Sequence, residues 1–240
     1  MFITASLAVL IGLRVRKQNY INAKPDDVAR GGLVFDAPSA KASVVLLGDS
    51  NGSMYGALVK SICSDANYDL TVISVAAGDP LPVASGTDGQ LWRDSLAVVS
   101  KVKPKYLILA CNWNSKIGSD RFRLEKAIHA MKPFADKIVV LTQPPELPDN
   151  ANRASIRDGS RPPFYESING NAARLTMNVY LNSLNHDSVH ILDVGGRFGR
   201  ANREVLFADS SGRQLYHDKN HLSGYGAELV RSDLMAALQD

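Results

Sequence analysis

The sequence predicts an α/β domain built on a parallel β-sheet. Five short apolar runs, rich in Val, Ile and Leu, lie at residues 43–48, 70–75, 106–110, 137–142 and 189–194. Between them lie segments whose apolar residues recur at helical spacing. Strands that alternate with helices are typical of a parallel sheet with helices packed on its faces. Ligands of such sheets bind at the carboxyl ends of the strands, so candidate functional residues are expected there.

The helical segments and the main loop are predicted from the same patterns. Helices are predicted at residues 53–66, 89–102, 121–131, 165–184 and 222–238. Residues 144–163 contain five prolines together with several Asn, Asp and Ser residues, which predicts a long loop. Residues 18–42 are polar, with two prolines and a Gly-Gly pair, and are expected to be an irregular lead-in.

The composition excludes several classes of protein. The 240 residues are 45% hydrophobic and 21% charged, which is ordinary for a globular chain and argues against disorder or a polytopic membrane protein. A net charge of +3 is too small to indicate nucleic acid binding. Cys63 and Cys111 have no metal-ligand spacing with histidine and are expected to be buried free thiols. No metal or organic cofactor is implied.

The sequence divides into two parts: residues 1–42 are an apolar segment with a linker, and residues 43–240 form the regular α/β domain. Residues 1–13 carry no charge and are followed by Arg14, Arg16 and Lys17. Thirteen residues are too few to span a bilayer, and a signal peptide has its basic residues before the apolar stretch. The segment is either the end of a membrane helix or a short anchor or packing helix. The basic cluster would by itself favour a cytoplasmic location for the domain after it.

Candidate catalytic residues lie directly after three of the predicted strands. Ser50 comes after the first strand and before a helix, where a serine is either a nucleophile or an N-cap. Gly78 comes after the second strand, and its N–H is either an oxyanion donor or part of a plain turn. Asn112 and Asn114 come after the third strand, and either side-chain amide could donate to an oxyanion.

The last loop supplies a candidate acid and base. Asp218 and His221 lie three residues apart near a helix entry, so the carboxylate can orient the imidazole. The neighbouring His217 has no aspartate three residues before it. Ser50, Asp218 and His221 therefore form a candidate catalytic triad.

Two serine-hydrolase patterns fit these residues. Gly48-x-Ser50-x-Gly52 matches the nucleophile elbow of α/β-hydrolases, but in that fold several strands precede the serine. The chain resembles instead the SGNH (GDSL-type) hydrolases and acyltransferases, through Gly48-Asp49-Ser50, Gly78, the partial block Ala110-Cys111-Asn112-Trp113, and Asp218-x-x-His221. The resemblance implies a three-layer α/β/α sandwich with a five-stranded, mostly parallel, flavodoxin-like sheet. It also implies an oxyanion hole formed by Ser50, Gly78 and Asn112.

A narrower resemblance involves the stretch from Tyr216 to Ala227, YHDKNHLSGYGA. It resembles the SGNH domains fused to membrane acyltransferase family three proteins, which O-acylate cell-surface glycans. This implies a carbohydrate O-acyl, and specifically O-acetyl, transferase or esterase on the periplasmic or extracytoplasmic face, with a membrane acyltransferase domain as acyl donor. A cytoplasmic location is the alternative.

The expected mechanism is attack by Ser50 on an acyl carbonyl, with His221 as base and Asp218 orienting it. Trp113 is a candidate for stacking on a sugar ring, with Asn114 beside it, and the 144–163 loop, with Arg153, Arg157 and Arg161, is placed to cover the site. Two other functions stay open: a lipase or thioesterase of the same superfamily acting on a small acyl ester, and a non-catalytic glycan-binding domain.

Overall fold

A computed structural model describes residues 20–83, 88–151, 156 and 159–239. The strands are β1 (Leu33–Phe35), β2 (Ser43–Gly48), β3 (Asp69–Ser74), β4 (Tyr106–Ala110), β5 (Lys137–Leu141), β6 (Phe164–Tyr165), β7 (Val189–Leu192) and β8 (Glu204–Val205). The helices are α1 (Pro25–Ala29), α2 (Ser50–Ser53), α3 (Gly56–Ala66), α4 (Gln90–Val102), α5 (Trp113–Ile117), α6 (Phe122–Met131), α7 (Ile168–Ser183), α8 (Gly195–Phe198), α9 (Gly224–Glu228) and α10 (Arg231–Ala237).

The main sheet has the strand order β1-β3-β2-β4-β5-β7. Strand β1 is antiparallel to β3, and the other neighbouring pairs are parallel. Strand β2 is central and its residues Val44–Leu47 are almost fully buried, as expected for a strand covered on both faces. The prediction of a mostly parallel α/β sandwich is therefore confirmed.

Helices cover both faces of the sheet and give the three layers. Because side chains alternate along a strand, Val44 and Leu46 enter one apolar cluster while Val45 and Leu47 enter the other. The first cluster contains the buried residues of α3, α9 and α10, and the second contains those of α4, α5, α6 and α7.

The sheet differs from the prediction at one edge, since it has six strands rather than five. The additional strand β1, together with α1, lies in the segment predicted to be an irregular lead-in. Strand β1 has only three residues, and Val34 at its centre is 54% exposed. Such a short edge strand lacks the apolar run by which the other strands are recognised.

Three predicted helices have different bounds in the structure. The helix predicted over residues 53–66 is α3, which begins at Gly56 and is preceded by the short α2. The C-terminal helix predicted over residues 222–238 is divided into α9 and α10. Helix α7 begins after Ser167, whose Oγ accepts the Gly170 N–H at 3.0 Å and so caps the helix. Among the described residues, no helix has the length and apolar character needed to cross a membrane. Residues 1–13 lie outside the described part of the chain.

Candidate active site

The candidate site lies at the carboxyl edge of the three adjacent strands β2, β3 and β4. Gly48 is in register with Ser74 on one side and with Ala110 on the other, so the three strands end at the same level. The turns after these strands carry Ser50, Gly78 and Asn112. The sheet thus brings these three candidate residues to one edge.

The turn that carries Ser50 depends on a close approach of two backbones. A Cβ added at Gly48 would lie 1.9 Å from the carbonyl oxygen of Ala110, so only glycine fits there. Asp49 then acts as the N-cap of α2, with its carboxylate accepting the Asn51 N–H at 2.8 Å. Ser50 is half-buried and is the first residue of that helix.

Asp49 also joins the Ser50 turn to the Asn112 turn. Its two carboxylate oxygens lie 3.1 and 3.3 Å from the backbone nitrogen of Asn112, and Lys116 Nζ lies 4.0 Å away. Burial raises the pKa of Asp49, and this outweighs the lowering by the two backbone N–H donors and the nearby charges of Lys116 and His221. No role for Asp49 is predicted from the sequence, although it precedes Ser50 directly.

Asp218 and His221 form the expected pair. His221 Nδ1 lies 2.8 and 2.9 Å from the two carboxylate oxygens of Asp218, which also accepts the backbone N–H of His221 at 2.9 Å. Burial alone would raise the pKa of Asp218, but the hydrogen bond and charge of His221, with backbone donors, lower it. The carboxylate therefore stays ionised and fixes the Nδ1–H tautomer, which leaves Nε2 as the basic nitrogen.

The His221 loop is anchored beside the Ser50 helix. The backbone N–H of Leu222 donates to the sulfur of Met54 at 3.2 Å, and Met54 is the C-cap of α2. His221 Nε2 is buried and has no hydrogen-bond partner within the described residues. Catalytic hydrogen bonds are often formed fully only when substrate is bound.

The structure distinguishes the two candidate asparagines. Asn112 is the N-cap of α5: its Oδ1 accepts the Ser115 N–H at 3.1 Å, while its backbone N–H donates to Asp49. With Oδ1 used as an acceptor, the Nδ2 group is left as a donor. Asn114 lies one residue inside α5, is half-buried, and has no such link to the Ser50 turn.

The suggestion that Trp113 stacks on a sugar ring is wrong. Trp113 is 0% exposed, and its indole N–H donates to the carbonyl oxygen of Leu141 at 2.7 Å. The ring belongs to the apolar cluster beneath the sheet. A side chain enclosed in this way supports α5 and cannot contact a ligand.

Gly78 lies in a tight turn that already uses its N–H group. That N–H donates to the carbonyl oxygen of Val75 at 2.9 Å, and Ala77 before it adopts a left-handed conformation with φ of +57°. To hold an oxyanion, the Gly78 N–H has to share or give up this bond. Its role as a donor stays a prediction.

The first part of the 144–163 loop packs on the loop that carries Asp218 and His221. The N–H of Leu147 donates to the carbonyl oxygen of Lys219 at 2.8 Å, and the Tyr216 hydroxyl donates to that of Pro145 at 2.9 Å. A cavity of about 200 Å³ adjoins Asp218 here, lined by residues that include Leu147, Phe207, Gln214 and Tyr216. Arg161 donates to carbonyl groups of its own loop, whereas Arg153 and Arg157 lie outside the described residues.

The described residues contain no cluster of histidine, cysteine and carboxylate side chains that could hold a metal ion. Cys63 and Cys111 are both free and buried, as predicted from the sequence. Burial raises the pKa of the Cys63 thiol to about 12, so it is not a nucleophile at neutral pH.

The fold is an α/β sandwich with Ser50 at the start of α2 and with Asp218 and His221 on a loop beside that helix. The model of the SGNH domain fused to AT3 domains matches residues 19–236, so the chain belongs to this SGNH family. Its members are enzymes that act on ester bonds as hydrolases or acyltransferases, and ester chemistry is therefore the activity class of this chain.

Solved structures agree with this fold. The periplasmic domain of a lipopolysaccharide acetyltransferase from Salmonella ser. Paratyphi A aligns with a TM-score of 0.67 at 13% identity, over 100% of this chain and 98% of that one. A protein from Slackia heliotrinireducens, assigned as an SGNH hydrolase, aligns with a TM-score of 0.54 at 13% identity, over 82% and 98%. The search of curated proteins gives no significant match.

Proposed function

We propose that this domain is a serine-dependent O-acyltransferase or esterase that acts on a cell-surface glycan through an acyl-serine intermediate. The observation that carries the proposal is the Asp218–His221 pair, with Nδ1 held at 2.8 Å and the buried Nε2 left as the base on a loop anchored beside the Ser50 helix. A non-catalytic domain has no need to hold an imidazole in this tautomer.

In the first half-reaction, Ser50 Oγ attacks the acyl carbonyl carbon and His221 Nε2 takes the hydroxyl proton. The carbonyl oxygen becomes an oxyanion, held by the Ser50 N–H and the Asn112 Nδ2 amide. The intermediate collapses as His221 returns the proton to the leaving oxygen, which leaves acyl-Ser50. Each oxyanion donor is typically worth about 2.7–4 kcal/mol of transition-state stabilisation.

In the second half-reaction, an acceptor hydroxyl attacks the acyl-serine and gives its proton to His221. Collapse of this intermediate returns the proton to Ser50 Oγ and releases the acylated acceptor. With water as acceptor the enzyme is an esterase, and with a sugar hydroxyl it is a transferase. The same residues perform both reactions.

A glycan acceptor, an extracytoplasmic location and a membrane acyl donor belong to the proposal. They are supported by the family, whose members are fused to AT3 domains, and by the likeness to the periplasmic domain of a lipopolysaccharide acetyltransferase.

The test is release of p-nitrophenol from its acetate ester by the wild type and by Ser50→Ala and His221→Ala. We expect both variants to lose about 10³-fold or more of kcat/KM, as for other serine triads. His129→Ala is the control, because this exposed histidine lies near the end of α6, and it should retain wild-type kcat. A Ser50→Ala rate equal to wild type contradicts the proposal.

The acceptor is tested by adding the purified polysaccharide of a lipopolysaccharide to the reaction with p-nitrophenyl acetate. Acetylated sugar is then measured by mass spectrometry. Acetyl transfer that depends on Ser50 supports a transferase. Hydrolysis without transfer leaves an esterase and removes the glycan acceptor from the proposal.

A further inference from the structure

The residues Tyr20–Ala23, which we call the N-terminal strap, are hydrogen-bonded to elements that form the candidate active site. Its Ile21 N–H donates to the carbonyl oxygen of Ser53, in the helix that begins at the proposed nucleophile, at 3.2 Å. The N–H of Ala23 donates to the carbonyl oxygen of Ser74, at the end of β3, at 2.9 Å. The strap is therefore bound by backbone hydrogen bonds to two of the elements that form the site.

Asn22 joins the same two elements through its side chain. Its Oδ1 accepts the Ser53 hydroxyl at 2.8 Å and the backbone N–H of Ala76 at 2.8 Å. A backbone N–H can only donate, so the atom that it meets must be the amide oxygen. Ser53 lies three residues after Ser50, and Ala76 lies two residues before Gly78, so one oxygen atom ties the nucleophile helix to the turn after β3.

Tyr20 links the strap to the third element of the site, the loop that carries His221. Its hydroxyl donates to the carbonyl oxygen of Leu222 at 2.6 Å, and the ring centroids of Tyr20 and His221 are 6.1 Å apart. Burial, with a smaller effect from the charge of Asp218, raises the pKa of the Tyr20 hydroxyl, so it stays a donor at neutral pH.

We propose that the N-terminal strap is a positioning element of the active site, with Asn22 as the residue that fixes the Ser50 helix relative to the turn after β3. The inference rests on the proposed function and adds to it a part of the chain outside the catalytic motifs. Asn22 is exposed, so its side chain contributes little to the core. Positioning errors of about 1 Å can cost up to 10²-fold in rate, so the loss is expected in kcat rather than in stability.

The kinetic test compares Asn22→Ala with wild type on p-nitrophenyl acetate. We expect kcat to fall by about tenfold and KM to change by less than about twofold, because the reacting groups and not the binding surface are displaced. Asp26→Ala is the control: this exposed residue lies four positions further along the chain, in α1, and should leave kcat unchanged. A kcat for Asn22→Ala within about twofold of wild type overturns the inference.

A double-mutant cycle locates the effect. If Asn22 acts through the Ser53 hydroxyl, then Ser53→Ala should add little to the loss in Asn22→Ala, whereas independent effects would multiply. Full multiplication of the two losses contradicts the proposed link.

Hydrogen exchange tests the strap without any need for activity. The amide of Ala76 should exchange faster in Asn22→Ala, whereas Asn22→Asp, which keeps an acceptor oxygen, should retain wild-type protection. Equal exchange in wild type and Asn22→Ala overturns the inference. An inactive wild type with the expected exchange pattern contradicts the proposed function and supports the strap as the link between the two elements.

Discussion

The side chain of Asn112 has a structural role and a proposed catalytic role that one substitution can separate. Its Oδ1 caps α5 through the Ser115 N–H, whereas its Nδ2 is the proposed oxyanion donor. Serine keeps the capping oxygen and removes the amide donor. We expect Asn112→Ser to lower kcat by about 10²–10³-fold, which is the 2.7–4 kcal/mol typical of one oxyanion donor. Its free energy of unfolding should change by less than about 0.5 kcal/mol, because serine and asparagine cap almost equally well.

The assay is steady-state kcat on p-nitrophenyl acetate together with urea denaturation of each variant. Asn112→Ala should lose the same activity and also about 1 kcal/mol of stability, since alanine cannot cap. Asn114→Ala is the control and should stay within about twofold of wild-type kcat. Wild-type kcat in Asn112→Ser, or the large loss appearing in Asn114→Ala instead, would refute the assignment of the donor.

Buried and paired groups give three further predictions. Trp113→Phe should lower the unfolding free energy by about 1–3 kcal/mol, because the carbonyl oxygen of Leu141 loses its hydrogen-bond donor. The KM in the ester assay should not change. A raised KM without a loss of stability contradicts this prediction. Asp49→Asn should lower kcat by about tenfold or more, because its amide donor faces the N–H of Asn112. The pKa of Asp49 is raised in the folded state, so the wild-type protein loses stability as pH rises through that pKa. Thermal melts between about pH 4 and 8 should therefore show the melting temperature of Asp49→Asn rising relative to that of the wild type. The pKa of Asp218 is lowered in the folded state, so the wild type should be more stable than Asp218→Asn above about pH 4. This difference in stability should shrink as pH falls through the folded pKa. A difference that is constant from about pH 3 to 7 contradicts the pairing of Asp218 with His221.

The elements that could be predicted from the sequence are those with a strong apolar pattern. Strands β2 and β4 have the predicted bounds, because buried parallel strands are continuous apolar runs between turn residues. The three-residue edge strand β1 and the strap have no such pattern. They are held by backbone and side-chain hydrogen bonds to residues distant in sequence, and a single sequence gives no signal for these.

The same distinction applies to the site. Asp218 and His221 could be paired because they lie three residues apart, and Ser50 could be proposed because it follows a buried strand directly. The position of Trp113 after a strand end predicts an exposed ring, whereas the ring of this first residue of α5 is buried in the core. The roles of Asp49 and Asn22 have no local signal in the sequence, because these residues bond to partners up to 63 positions away.

In the proposed mechanism, hydrolysis and transfer use the same residues, so the reaction outcome depends on access to the acyl-serine. The side chain of Asp218 is 47% exposed and that of His221 is 19% exposed, so the acid lies toward solvent and the base is more enclosed. An acceptor sugar that covers this surface would exclude the water that competes for the acyl group. The residues that choose between the two reactions are therefore expected around Asp218 and Leu147, where the two loops meet, and not among the residues that form the acyl-serine.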